Sequence, residues 1–158
     1  MNNLLHNLKL HYISTFVNQD FKILGIDYGT KKIGTAIFHS SLDDVIPLGV
    51  ITNFQSPVKA IEKVVREYNC IAVVMGICRD SKTEKSVLKL QKAIEADLTI
   101  PVILEDETLT TYAANEILKD MGVKREMRGR IDDAIAADLI LGNFICDFRR
   151  YIYTIKRD

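Results

Sequence analysis

Between Lys22 and Thr52, three apolar, β-prone runs follow one another with little chain between them. Lys22 to Gly29 reads as a strand running into a glycine turn, Ile33 to Phe38 as a second strand, and Val45 to Thr52 as a third. Gaps this short cannot hold a crossover, so the three runs must pair antiparallel. Beyond them the pattern changes. Pro57 to Tyr68 reads as a helix, with Ser56 as its cap and the proline at its first position. Ile71 to Met75 reads as a buried strand. Ser81-Lys82-Thr83-Glu84 has the form of a capping box, which predicts a helix from there to about Asp97. Pro101 to Leu104 lies in another strand, Thr110 to Met121 in a helix ended by Gly122, and about Asp132 to Phe148 in a last helix. Strands that alternate with helices build parallel sheet. The order βββαβαβαα therefore predicts an α/β fold: a mixed five-stranded sheet, three antiparallel strands and then parallel ones, flanked by helices.

A chain of 158 residues is expected to form one domain. The expected organisation is an N-terminal extension over 1–21, the main domain over 22–150 and a C-terminal tail over 151–158. Leu4, Leu5, Leu8, Ile13, Phe16 and Val17 are spaced for a short amphipathic helix packed on that domain. The formal net charge of zero argues against non-specific coating of nucleic acid and leaves room for a local basic patch. Cys70, Cys78 and Cys146 form no CxxC pair; they suit a reducing cytosol and read as small buried residues. No apolar run approaches the ~20 residues of a membrane span, and the first twenty residues hold no secretory h-region. The expected location is cytoplasmic, with no membrane partner.

Three acidic constellations carry the chemistry. In Gly25-Ile26-Asp27-Tyr28-Gly29-Thr30-Lys31-Lys32-Ile33-Gly34, an Asp closes an apolar strand where the chain must turn. Its carboxylate would leave the sheet end on a fixed backbone, as hard divalent cations require; the plainer reading is an Asp that shapes a hairpin. Glu105, Asp106 and Glu107 crowd the end of a later strand. Such acids repel one another unless a cation or proton sits among them, although an acidic flank also suits a helix N-terminus. Asp132 and Asp133 open the last helix, and a cap needs only one of them. On a helical wheel Asp133 falls on the stripe of Ala137, Ile140, Leu141, Phe144 and Phe148, which must face the sheet, whereas Asp132 falls on the wetter side with Asn143 and Asp147. Asp132 therefore reads as the cap and Asp133 as a site residue.

These motifs resemble, in order, those of the YqgF/RuvX family. The GIDYGTKKIG string looks like its first motif and VVMGI like its following strand. Asp106 to Thr111 looks like its DERLTT, and Asp133 to Leu141 like its closing D-x-x-A-A-x-x-I-L, so that the likeness spans roughly residues 22 to 146. The family is similar in fold to ribonuclease H and to the junction resolvase RuvC. The resemblance implies a ribonuclease-H-like nuclease that hydrolyses phosphodiesters, chiefly in maturing the 5′ end of pre-16S ribosomal RNA, with resolution of DNA Holliday junctions as the alternative. It implies that Asp27, Glu107 and Asp133 are the catalytic carboxylates and hold Mg²⁺ or Mn²⁺, and that Thr110 and Thr111 meet substrate. The chain departs from the family at Thr108, where an Arg is usual, and at Gly76-Ile77-Cys78, where Gly-Leu-Pro is usual. The glycine usual shortly afterwards is missing, and the first twenty residues extend beyond the usual start.

Lys124, Arg125, Arg128 and Arg130 fall in a basic stretch read as a loop that grips phosphate, with a plain solvated loop as the alternative. Lys31 and Lys32, in the turn after Asp27, are also placed to reach phosphate. The expected partner is structured RNA such as a ribosomal precursor, or a DNA junction, and the expected state is a monomer or homodimer, the two-fold dimer suiting symmetric junction cleavage. Two other classes compete. Asp27-Tyr28-Gly29-Thr30 with Gly34 also looks like a phosphate turn of sugar kinases and actin-like ATPases, which need two such domains. A catalytically idle nucleic-acid-binding module would favour basic residues where these carboxylates stand.

Overall fold

The computed structural model describes residues 3–52, 54–107, 120–122 and 125–157, and of residues 3 and 125–132 the backbone alone. In chain order the elements are α1 (Asn3–Ser14), β1 (Lys22–Tyr28), β2 (Lys32–His39), β3 (Asp44–Thr52), α2 (Pro57–Tyr68), β4 (Ala72–Ile77), α3 (Glu84–Leu98), β5 (Val102–Asp106) and a long final helix, α4 (Arg125–Ile155). The strands lie in the order β3-β2-β1-β4-β5. β1, β2 and β3 pair antiparallel, and β4 and β5 join parallel to β1. This is the expected mixed five-stranded sheet.

Local signals explain the elements that sit where expected. Ser56 accepts from the Lys59 N–H, Pro57 opens α2, and Asn69 ends it in the left-handed conformation at φ 55°. Gly122 has φ 68°, the conformation expected of a residue that ends a helix, while Thr110 to Thr111 and most of the helix expected there lie outside the described residues.

Several expectations are corrected. The capping box at Ser81 does not form. Thr83 stands at the N-cap without a side-chain hydrogen bond, and the Glu84 carboxylate instead accepts from the Asp80 N–H at 2.9 Å and from Arg79 at 3.1 Å. The Arg79 ion pair and the Asp80 N–H occupy the carboxylate that the reciprocal bond would need. The last helix does not begin near Asp132. It starts at Arg125, so Arg125, Arg128 and Arg130 are helical and Asp132 lies inside the helix, where it cannot serve as its cap. Nor does it stop at Phe148, because Tyr151 and Ile152 still pack against the core and carry the helix to Ile155. Of the cysteines, Cys70 is buried as expected, but Cys146 is exposed.

The sheet is covered on both faces. Residues of α2 and α3, including Ile61, Val65, Leu90 and Ile94, pack on one. On the other lie α4, through Ala137 to Phe148, and α1, through Leu10 and Ile13. Lys9 ties α1 to the β5 edge, its ammonium 2.6 Å from both the Val102 carbonyl and Glu95 Oε1. Leu4, Leu5 and Leu8 of α1 are exposed, so only part of its apolar surface meets the domain. No helix among the described residues is long and apolar enough to cross a membrane.

Candidate active site

The end of β1 sets the first carboxylate. After Tyr28 the chain turns, and the Gly29 N–H donates to the Lys32 carbonyl at 2.9 Å. A Cβ on Gly29 would stand 2.9 Å from that same oxygen, closer than a side chain permits. Along β1, Ile23 belongs to the α4 side of the core and Gly25 lies against Leu141 and Ala137 of α4. The two-residue period of a strand puts Asp27 on that same face. Its antiparallel partner is Gly34, which adds no side chain there.

Glu107 comes from the far side of β4. Its N–H donates to the Ile77 carbonyl at 3.1 Å, continuing the β4–β5 ladder beyond Asp106. Its carboxylate lies over Gly76, where a Cβ would run into Glu107 Oε2. Asp133 arrives from above on α4. A Cβ on Gly34 would run into the Asp133 backbone carbonyl, so helix backbone touches sheet at this point. Two bare strand positions, Gly34 and Gly76, thus flank Asp27 and admit the other two acids.

The electrostatics follow from that convergence. Asp27 is pushed up to about 7, first by burial, then by the charges of Glu107 and Asp133, with the Lys32 ammonium pulling the other way. Asp27 and Glu107 share a hydrogen bond that favours the protonated form of Asp27 and the charged form of Glu107. Burial nevertheless raises Glu107 above the ordinary carboxylate range. Asp133 Oδ2 is buried and stands 2.6 Å from Lys32 Nζ. The donor set is all oxygen, partly desolvated and mutually repelling, which suits a hard divalent cation. The fit is not a finished cage: among the described residues no three acidic, His or Cys side chains stand together at metal-ligating spacing.

The three carboxylates read from the sequence lie at one end of the sheet, Asp27 hydrogen-bonded to Glu107 and Asp133 held against Lys32. Of the expected phosphate contacts, Lys31 is exposed in the turn and Lys32 is engaged with Asp133. Thr110, Thr111 and Lys124 lie outside the described residues, and the side chains of Arg125, Arg128 and Arg130 are likewise not described. Glu105 faces the α4 side one pair below Glu107 and is pushed up to about 7 by burial, then by Asp147 and Asp106. Sequence reasoning missed the seats at Gly34 and Gly76. The available signal was a glycine inside each of two apolar strands, which marks a close approach of other chain.

A family model described as "RuvX: Holliday junction resolvase" matches residues 21–147. A Rickettsia rickettsii protein named "Putative pre-16S rRNA nuclease" is 36% identical over 126 residues, covering 75% of this chain and 82% of that one. A Rickettsia bellii protein of the same name is 34% identical over 145 residues, covering 87% and 93%. Among solved structures, the fowlpox virus Holliday junction resolvase superposes with a TM-score of 0.54 at 14% identity, over 80% of this chain and 99% of that one. The fold is thus that of the ribonuclease-H-like resolvases.

Proposed function

The chain belongs to the RuvX family, and on that premise we propose that this hydrolase of ester bonds is a metal-dependent nuclease acting in 5′-end maturation of pre-16S ribosomal RNA. The observation that carries the reading is the Asp27–Glu107 hydrogen bond at the sheet end, with Asp133 close enough to raise Asp27 further. The names of the Rickettsia relatives support the RNA substrate. Asp27, Glu107 and Asp133 would hold Mg²⁺ or Mn²⁺. A divalent cation there supplies Lewis acidity, lowering the cost of activating water and of charge on the leaving oxygen. Asp27 must release the proton it shares with Glu107 before both can act as ligands, so metal uptake by the empty site is expected to strengthen as pH rises toward about 7. Lys31, Thr110, Thr111, Lys124, Arg125, Arg128 and Arg130 would meet the phosphates and set the strand's register.

The description of the family model favours a second reading, cleavage of a four-way DNA junction. One panel separates them: a 5′-extended pre-16S RNA fragment and a four-way DNA junction, each with Mn²⁺, Mg²⁺ or excess chelator. We expect metal-dependent cleavage of the RNA, abolished by Asp27→Asn in a chain that still folds. Cleavage of the junction alone would move the assignment to DNA. Undiminished cleavage in chelator or by Asp27→Asn would remove the mechanism.

A further inference from the structure

Lys32 begins β2 and shares a sheet face with Gly34, two residues on. Because Gly34 admits the α4 backbone at Asp133, the lysine side chain rises beside the helix at that point. Its Nζ lies 2.6 Å from Asp133 Oδ2, with the Asp133 side chain 21% exposed and that of Lys32 43%. The same ammonium acts favourably on Asp27, in the neighbouring strand, against the effects of Glu107 and Asp133. Its backbone is fixed by the Gly29–Lys32 turn, so the charge is delivered to one place.

We propose that Lys32 is the resident counter-cation of this carboxylate group, holding Asp133 while the metal is absent and yielding it when a divalent cation enters. The inference rests on the metal-dependent reading above and extends it. A group of buried acids cannot remain charged without compensation. Lys32 supplies one positive charge on a tether, which keeps the site folded and Asp133 turned toward β2. A divalent cation brings two charges and several coordination positions, and outcompetes it. Lys32 is thus a positioning residue that sets metal affinity by competition, and its release on loading leaves an ammonium beside the site to meet a phosphate.

The test compares the full-length chain with Lys32→Met, Lys32→Gln and Lys32→Arg, by Mn²⁺ titration calorimetry and by thermal unfolding in chelator and in saturating Mn²⁺. In chelator, Lys32→Met should unfold a few degrees below wild type, and saturating Mn²⁺ should close the gap. Its Mn²⁺ dissociation constant should fall by roughly tenfold, about 1.4 kcal/mol. Lys32→Gln should behave in the same direction, and decides the matter if the methionine variant does not fold. Lys32→Arg, which keeps the charge, should stay near wild type. Mn²⁺ binding that is unchanged or weaker in both neutral variants overturns the competition. Absence of Mn²⁺ uptake by the wild type would overturn the metal-dependent reading itself and this inference with it.

Discussion

On the face covered by α2 and α3, the central strands present Leu24 and Ile26, Ile33 and Ile37, and Val73, Met75 and Ile77, all buried. On the face covered by α4, the side chains shrink toward the site. β2 runs Phe38, Ala36, Gly34; β1 runs Ile23, Gly25, Asp27; β4 ends on Gly76. The helix answers with Ala134, Ala136 and Ala137 at the site end and Phe144 and Phe148 at the other. One face is filled to exclude water and void. The other is emptied at one end so that helix backbone can bring a carboxylate down beside Asp27. The contrast teaches that stability and placement are separable demands, met on opposite sides of the same five strands.

Gly34→Ala tests the emptied face most severely. The new Cβ meets the Asp133 carbonyl, which is backbone and cannot rotate away. We expect a loss of about 3 kcal/mol or more in denaturant unfolding, accompanied by loss of Mn²⁺ binding. A chain as stable as wild type would show that the helix is not seated where the contrast requires. Ile94→Ala tests the filled face. Ile94 is fully buried against the α2/α3 side, and its truncation should cost about 3 kcal/mol while leaving Mn²⁺ affinity unchanged in the folded fraction. Impaired metal binding in that variant would show that the two faces are coupled rather than independent.

The pH dependence of the metal-free chain is the next smaller effect. Asp27 and Glu105 are pushed from 3.8 and 4.5 to about 7 in the folded chain. Between about pH 4.5 and 7 the unfolded chain has lost protons that the folded chain keeps, so stability falls as pH rises through this window and levels above it. Unfolding temperatures in chelator should drop by several degrees across it, and Asp27→Asn should flatten the slope. A rise over the same interval would contradict the burial and repulsion inferred at the sheet end. Gly142→Ala is the smallest, with opposite sign. This glycine lies in α4, and a Cβ there meets nothing beyond its own helix. Replacing it should stabilise by about 0.5–1 kcal/mol through helix propensity, measured as a higher denaturation midpoint. A destabilised variant would mean that Gly142, like Gly25 and Gly34, is a point of close approach.

Legibility in the sequence followed the range of the interactions involved. α2 is read to the residue because Ser56, Pro57 and Asn69 act on their own neighbours. The start of α4 is harder to place, because two adjacent aspartates look like a cap while Arg125, Glu126, Met127 and Arg128 are good helix formers that continue the helix upstream. The basic charges suggest a loop, but charge alone does not break a helix. Ser81 to Glu84 misleads for the opposite reason. The pattern is correct for a capping box, and Arg79 together with the Asp80 N–H takes the glutamate that would have completed it.

The sequence by itself determined the order of the five strands and of the helices between β3 and β5, the mixed sheet, and the place of Asp133 on the sheet-facing side of its helix. Each depends on short spacing or on a period of two or 3.6 residues, which the chain carries locally. Only the tertiary structure decided that Asp27 hydrogen-bonds Glu107, that Lys32 meets Asp133, and that Gly34 and Gly76 are the seats which allow it. Those contacts join residues far apart in the chain. Their existence depends on how closely one helix can approach one sheet, a distance set by the volume of every side chain between them.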